Sequence, residues 1–151
     1  MLFRSAIPYA VTVVAMIVWG GHSDRTGERI WHLALASLFA GLGFVLSAAA
    51  SSQIVVLLGL GMAAIGVCAA LAPFWAIPPH FLTGTGAAAG IALINAVGNL
   101  GGVFGPYAVG WALQETGGYA GGMAVLAASL FVAVAMVLAM GRSRRFALAL
   151  P

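Results

Sequence analysis

Apolar residues in this chain run in long continuous stretches, with no two-residue alternation of polarity. The first stretch covers about 2–20, with Pro8 near its start. Others cover about 30–50, 54–77, 87–113 and 121–140. Each is close to the roughly 20 residues that a helix needs to cross a hydrocarbon core of about 30 Å. Short polar breaks separate them: 21–29, the Ser51-Ser52-Gln53 turn, the Pro78–Gly86 loop and Gln114–Gly118. The pattern predicts an all-α, polytopic transmembrane bundle of about five spans with no sizeable aqueous domain. Transmembrane barrel strands would instead show segments of about ten residues with alternating polarity. A secretory signal peptide is the rival reading of the first stretch, since Arg4 precedes an apolar run. Four more apolar segments follow it, and no small-residue cleavage site does.

Composition narrows the class further. Of 151 residues, 63% are hydrophobic and 6% charged, against roughly 25% charged in a soluble domain. That excludes a water-soluble globule, and the high hydrophobicity excludes intrinsic disorder. No Asp, Glu, Lys or Arg occurs between Ile30 and Gln114, or between Thr116 and Gly141. The basic balance comes from six arginines at span ends and in loops. This placement fits membrane topology and not nucleic-acid binding. With the 24–29 loop in the cytoplasm, Arg25, Arg29, Arg142, Arg144 and Arg145 lie inside and Arg4 outside, as the positive-inside rule requires. The expected N-terminus is then outside and the C-terminus cytoplasmic. An odd span count that starts on the far side suggests a piece of something larger. The lone Cys68 reads as a small buried side chain in an apolar run.

The first polar break carries the most specific pattern, Gly-x-x-x-Asp-Arg-x-Gly-x-Arg, from Gly20, Asp24, Arg25, Gly27 and Arg29. The glycines permit a tight turn with close backbone approach. Asp24 could sit at a helix N-terminus, where free N–H groups favour an anion. Arg25 and Arg29 could pair with carboxylates. The set reads either as a latch that forms and breaks as helices rock, or as a basic loop that only sets topology. The fourth stretch has a different character. Gly98/Gly102 and Gly101/Gly105 are small-xxx-small pairs suited to close helix packing in lipid, and Pro106 permits a kink. Asn95 and Asn99 are four apart and share a face. Their amides could hydrogen-bond a carboxylate or hydroxyl in a cavity, or could bond a neighbouring helix. Trp75 could stack on a substrate or sit in the interfacial belt beside Pro78-Pro79. His22, His32 and His80 fall at span ends and need no special role. With Cys68 they show no metal-ligand spacing, and no nucleophile–base pair or phosphate loop exists. No enzyme activity, metal or cofactor is expected.

The string Trp19–His32 resembles the signature loop of the major facilitator superfamily, in the form of its second copy, and is similar to that of the anion:cation symporter family. Pro73–Pro78 and Gly90–Tyr107 are two further strings that resemble that family, in the same order. The resemblance implies the eighth through twelfth spans of a twelve-span transporter, a C-terminal half lacking its first helix. It implies alternating-access transport of a small organic anion, such as a sugar acid or aromatic carboxylate, coupled to protons. Asn95, Asn99 and Trp75 would contact substrate, Asn95 above all, and the Asp24 loop would form a cytoplasmic gate. Residues 21 and 30 lack a basic residue that many relatives carry there, which would weaken the latch. No acidic residue lies inside a span, so the coupling carboxylates would belong to the missing helices. The expected partners are the lipid bilayer of the inner (plasma) membrane and either the missing N-terminal helices or a separate chain that supplies them. By this reading the chain alone does not transport. A stand-alone membrane scaffold, or a half-transporter needing a partner, are the alternatives.

Overall fold

The computed structural model describes residues 2–84 and 86–142, with side chains from residue 10 onward. Five α-helices fill it: α1 (Leu2–Thr26), α2 (Arg29–Ala49), α3 (Gln53–Ala76), α4 (Gly86–Thr116) and α5 (Tyr119–Arg142). A short 3-10 turn, Pro78–His80, follows α3. Long apolar runs become helices because each backbone N–H finds its partner within its own segment, the requirement for crossing lipid. Four of the helices, α2 to α5, are long and apolar enough to cross a membrane. At 31 residues, α4 is about 46 Å long, more than a hydrocarbon core needs.

Two polar breaks are shorter than the sequence suggests. Helix α1 continues through His22, Ser23, Asp24 and Arg25 to Thr26, so the expected 21–29 loop shrinks to Gly27 and Glu28. Gly27 makes this abrupt stop possible at φ +70°, a left-handed conformation that side chains with a Cβ resist. The break after α4 is likewise set by Gly117 at φ +67°, with Gln114–Thr116 still helical. In both places the Gly C-cap ends the helix, and the polar residues before it do not.

The packing is inverted relative to a soluble protein. The buried residues of α2 and α3 are small, while Leu42, Val45, Leu57, Leu58 and many other large apolar side chains point outward. Ala36, Ala40, Gly43 and Ser47 form one small-residue edge, and Gly59, Ala63, Gly66 and Pro73 form the other. A Cβ added to Gly66 would lie 2.6 Å from the Ala36 carbonyl oxygen and the Ala40 nitrogen. Backbones approach this closely where van der Waals packing, with no water to expel, must hold helices together. Ser47 Oγ donates to the Val56 carbonyl across the same seam at 3.2 Å.

The remaining helices hang on this pair. Helix α5 lies on α2, where a Cβ at Gly41 would meet the Phe131 ring at 2.8 Å. Helix α1 leans on α3, with Gly20 against Ala72, and touches α2 far less. Helix α4 packs on α5 and leaves most of its surface open. Cys68, expected to be buried, is half-buried on α3. Arg144 and Arg145 lie outside the described residues, as does the side chain of Arg4.

Candidate functional site

The turn between α1 and α2 brings most of the signature residues together. Gly20 sits on the α3 side, where a Cβ would be 2.9 Å from that of Ala72. One turn later, Asp24 accepts a hydrogen bond from Arg29 Nη1 at 2.9 Å. Asp24 is in the last turn of α1, not at a helix N-terminus as the sequence suggests, because the helix runs on past it. An acid there opposes the helix dipole, and Arg29, the first residue of α2, offsets it. The Asp24 side chain is 68% exposed, so the pair adds little stability, about 0–1 kcal/mol. Arg25 also sits in the last turn of α1, where a cation suits the dipole. It forms no ion pair among the described residues.

Sequence reasoning gave the histidines no role, yet two of them knit this turn. His32 is buried, 7% exposed. Its Nδ1 lies 2.6 Å from the Glu28 carbonyl oxygen and its Nε2 lies 2.7 Å from His22 Nδ1. Trp19 Nε1–H donates to the His32 carbonyl at 3.1 Å, with the two rings 5.1 Å apart. Beside them Ser23 is 1% exposed, and its hydroxyl has no hydrogen-bond partner among the described residues. The ten-residue spacing of His22 and His32 across a Gly-containing turn was the available signal. No helix-face pattern links residues on two different helices, so it does not stand out.

The expected substrate residues are accessible but not gathered. Asn95 and Asn99 lie on the open surface of α4. Trp75 near the end of α3 is 40% exposed, edge-on to Phe74 at 5.2 Å. Gly98, Gly101, Gly102 and Gly105 face open space, with no atom within 4 Å of where a Cβ would be. Pro106 is exposed on the same helix. Apolar cavities lie elsewhere among the described residues. One, of about 490 Å³, lies between α1, α2 and α3 and is lined by Val18, Trp19, Phe39 and Gly66 among others. Another, of about 210 Å³, lies beside the 3-10 turn and is lined by Phe74, Ile77, Pro78, Ile94 of α4 and Met140 among others. Neither includes Trp75, Asn95 or Asn99. No cluster of three His, Cys, Asp or Glu able to hold a metal occurs among the described residues.

Curated proteins of the same kind are readily found. A protein of Agrobacterium vitis named as a tartrate transporter is 43% identical over 141 residues, covering 93% of this chain and 31% of its own length. The quinolone resistance transporter of Acinetobacter baumannii is 38% identical, covering 80% of this chain and 28% of its own. The inner membrane transport protein RhmT of Escherichia coli (strain K12) is 38% identical, covering 68% and 24%. No family model matches the chain. No solved structure matches it either. The chain spans about a third of the length of the curated relatives it matches. Their names all denote transport and none denotes catalysis, so this all-helical membrane chain is a relative of bacterial membrane transporters.

Proposed function

We propose that the chain is a C-terminal portion of a major-facilitator transporter of the anion:cation symporter kind, and that the complete protein carries a small organic anion across the inner membrane. The observation that carries this reading is the Asp24–Arg29 turn, found in a chain 43% identical to proteins named as tartrate transporters. The described helices supply one wall of a path. Asn95 and Asn99 present amides on the uncovered surface of α4, and hydroxyls and carboxylates of a sugar acid are the partners such amides suit. Trp75 offers a ring face to the apolar part of the same molecule. Gly98, Gly101, Gly102 and Gly105 leave room for a further helix to approach closely.

Helices outside this chain complete the path, whether as a continuation or as a partner chain. Alternating access then rocks one bundle against the other, and the turn holding Asp24, Arg25, Gly27 and Arg29 is the gate at the cytoplasmic side. Protons are the coupling ion, and the groups that carry them lie on those other helices. Asp24, Glu28 and Glu115 all sit at helix ends, away from the midplane where coupling groups belong. The cytoplasmic assignment draws on Arg25, Arg29 and Arg142. All three gather at one end of the bundle, since Gly141 of α5 abuts Ile30 of α2.

The test is uptake of labelled tartrate by cells. This chain alone is expected to give none. A chimera that joins it to the preceding part of an Agrobacterium vitis relative is expected to restore it. In that chimera Asn95→Ala and Trp75→Ala should each reduce uptake at least tenfold with unchanged amounts in the membrane. Undiminished uptake in both variants would remove them from the substrate path.

A further inference from the structure

We propose that His22 and His32 form a one-proton clasp that ties the end of α1 to α2 and opens only when both rings are charged. The argument begins with the hydrogen-bond inventory of imidazole. The Glu28 carbonyl can only accept, so His32 Nδ1, 2.6 Å away, carries a proton. In the neutral ring His32 Nε2 is then an acceptor, and the 2.7 Å contact from His22 Nδ1 requires His22 to donate. Both tautomers are therefore set by the Glu28 carbonyl through a chain of two bonds. His22 Nε2 remains, and the His22 side chain is exposed to water.

One added proton is compatible with this chain. It binds at His22 Nε2, and the Nδ1–H to Nε2 bond persists. The charge can pass to His32 if the shared proton moves across, with the bond still intact. A second proton leaves both rings with donors only. The 2.7 Å contact then becomes a meeting of two N–H groups on two cations with ring centres 5.0 Å apart, and it must open.

The ionisable groups around the clasp do not rescue that state. On α1 they are Asp24 and Arg25, at the start of α2 Glu28 and Arg29, after α3 His80, and at the end of α5 Arg142. Asp24 is paired with Arg29, and neither its carboxylate nor that of Glu28 can turn two facing N–H donors into a donor and an acceptor. The consequence is mechanical because α1 and α2 otherwise touch little. Polar ties between them include the Asp24–Arg29 pair, the Trp19–His32 bond and the histidine contact itself. Opening the clasp removes one of these ties at the end of α1 that carries the signature residues and leaves the packing of Gly20 on Ala72 in place, whatever the complete transporter carries.

The experiment is nitrogen NMR on the full chain, labelled on histidine nitrogens, in lipid nanodiscs, acidified from about pH 8 through about pH 5, the range where histidine changes charge, until the spectra stop changing. Expected is a nitrogen–nitrogen coupling between the two rings at high pH that survives the first proton and is lost with the second. His32→Ala should abolish the coupling, and the wild-type spectrum decides the matter if that variant fails to fold. Absence of the coupling at every pH, or its loss with the first proton, overturns the proposal.

Discussion

Gly43 and Gly59 meet backbone to backbone at the centre of the α2–α3 seam. A Cβ on Gly43 would stand 2.6 Å from the Gly59 carbonyl oxygen, and one on Gly59 would stand 2.7 Å from that of Gly43. Neither oxygen is the movable end of a side chain, so the helices themselves must part. Gly43→Ala is therefore expected to destabilise the chain by about 1–3 kcal/mol, the usual cost of overpacking. Gly61→Ala on the same helix α3 is the control, because nothing lies within 4 Å of that position. It should be neutral or stabilising by up to about 1 kcal/mol. Unfolding by denaturing detergent, followed by circular dichroism, compares the two. Equal stability of both variants would mean that the seam is not this tight.

The signature turn should separate into residues that shape it and residues that act through it. Gly27 shapes it: at φ +70° an added Cβ costs about 1–2 kcal/mol. Gly27→Ala should lower stability by that amount, and Gly27→Asn by less, since Asn tolerates the left-handed region. Asp24→Asn should change stability by less than about 1 kcal/mol because the ion pair is exposed. In the completed chimera the order reverses if the turn is a gate. Asp24→Asn should then cost most of the uptake with folding unchanged. A full rate in Asp24→Asn would leave the residue with a topological role alone.

Much of this was legible in the sequence because lipid imposes one simple rule. Uninterrupted apolar runs must be helices, and the five runs are the five helices. The helix ends were less legible. Ser23 and Asp24 are of types that favour loops and caps, yet α1 keeps them helical until Gly27 offers a left-handed exit. Within the described helices, the glycines that pack most tightly are not those with the obvious spacing. Gly98 and Gly102 have the more obvious spacing but face open space, while Gly43, Gly59 and Gly66 carry the contact. Spacing within one helix cannot say which neighbour arrives. The seam would have been found by pairing two edges, Ala36-Ala40-Gly43-Ser47 with Gly59-Ala63-Gly66-Pro73, whose seven-residue periods match.

That open face gives a prediction with two opposed readouts. In this chain Gly98→Ala and Gly102→Ala meet no atom within 4 Å. Alanine is the better helix former by about 1 kcal/mol, so neither variant should lose stability. If a further helix packs there in the complete transporter, the same changes should slow anion uptake by the chimera at least several-fold. Stability and uptake that both remain unchanged would show the face to be lined by lipid.

The arrangement of the helices also fixes which residues share a side of the membrane. Alternating helices place the 27–28 turn, the 78–84 segment and the end of α5 at one end, and the 50–52 and 117–118 turns at the other. The contact of Gly141 with Ile30 ties the two charged ends together. With half-buried Cys68 replaced by Ala, single variants Arg25→Cys, Arg142→Cys and Tyr119→Cys can be probed in spheroplasts with a membrane-impermeant maleimide. Tyr119→Cys should react from outside. Arg25→Cys and Arg142→Cys should react only after the membrane is opened, because positively charged ends stay in the cytoplasm. Removing one of those arginines weakens the charge bias being tested, so a conservative pair, Thr26→Cys and Gly118→Cys, repeats the measurement with every arginine retained. Labelling of Thr26→Cys from outside would invert the proposed orientation and move the Asp24–Arg29 turn to the far side of the membrane.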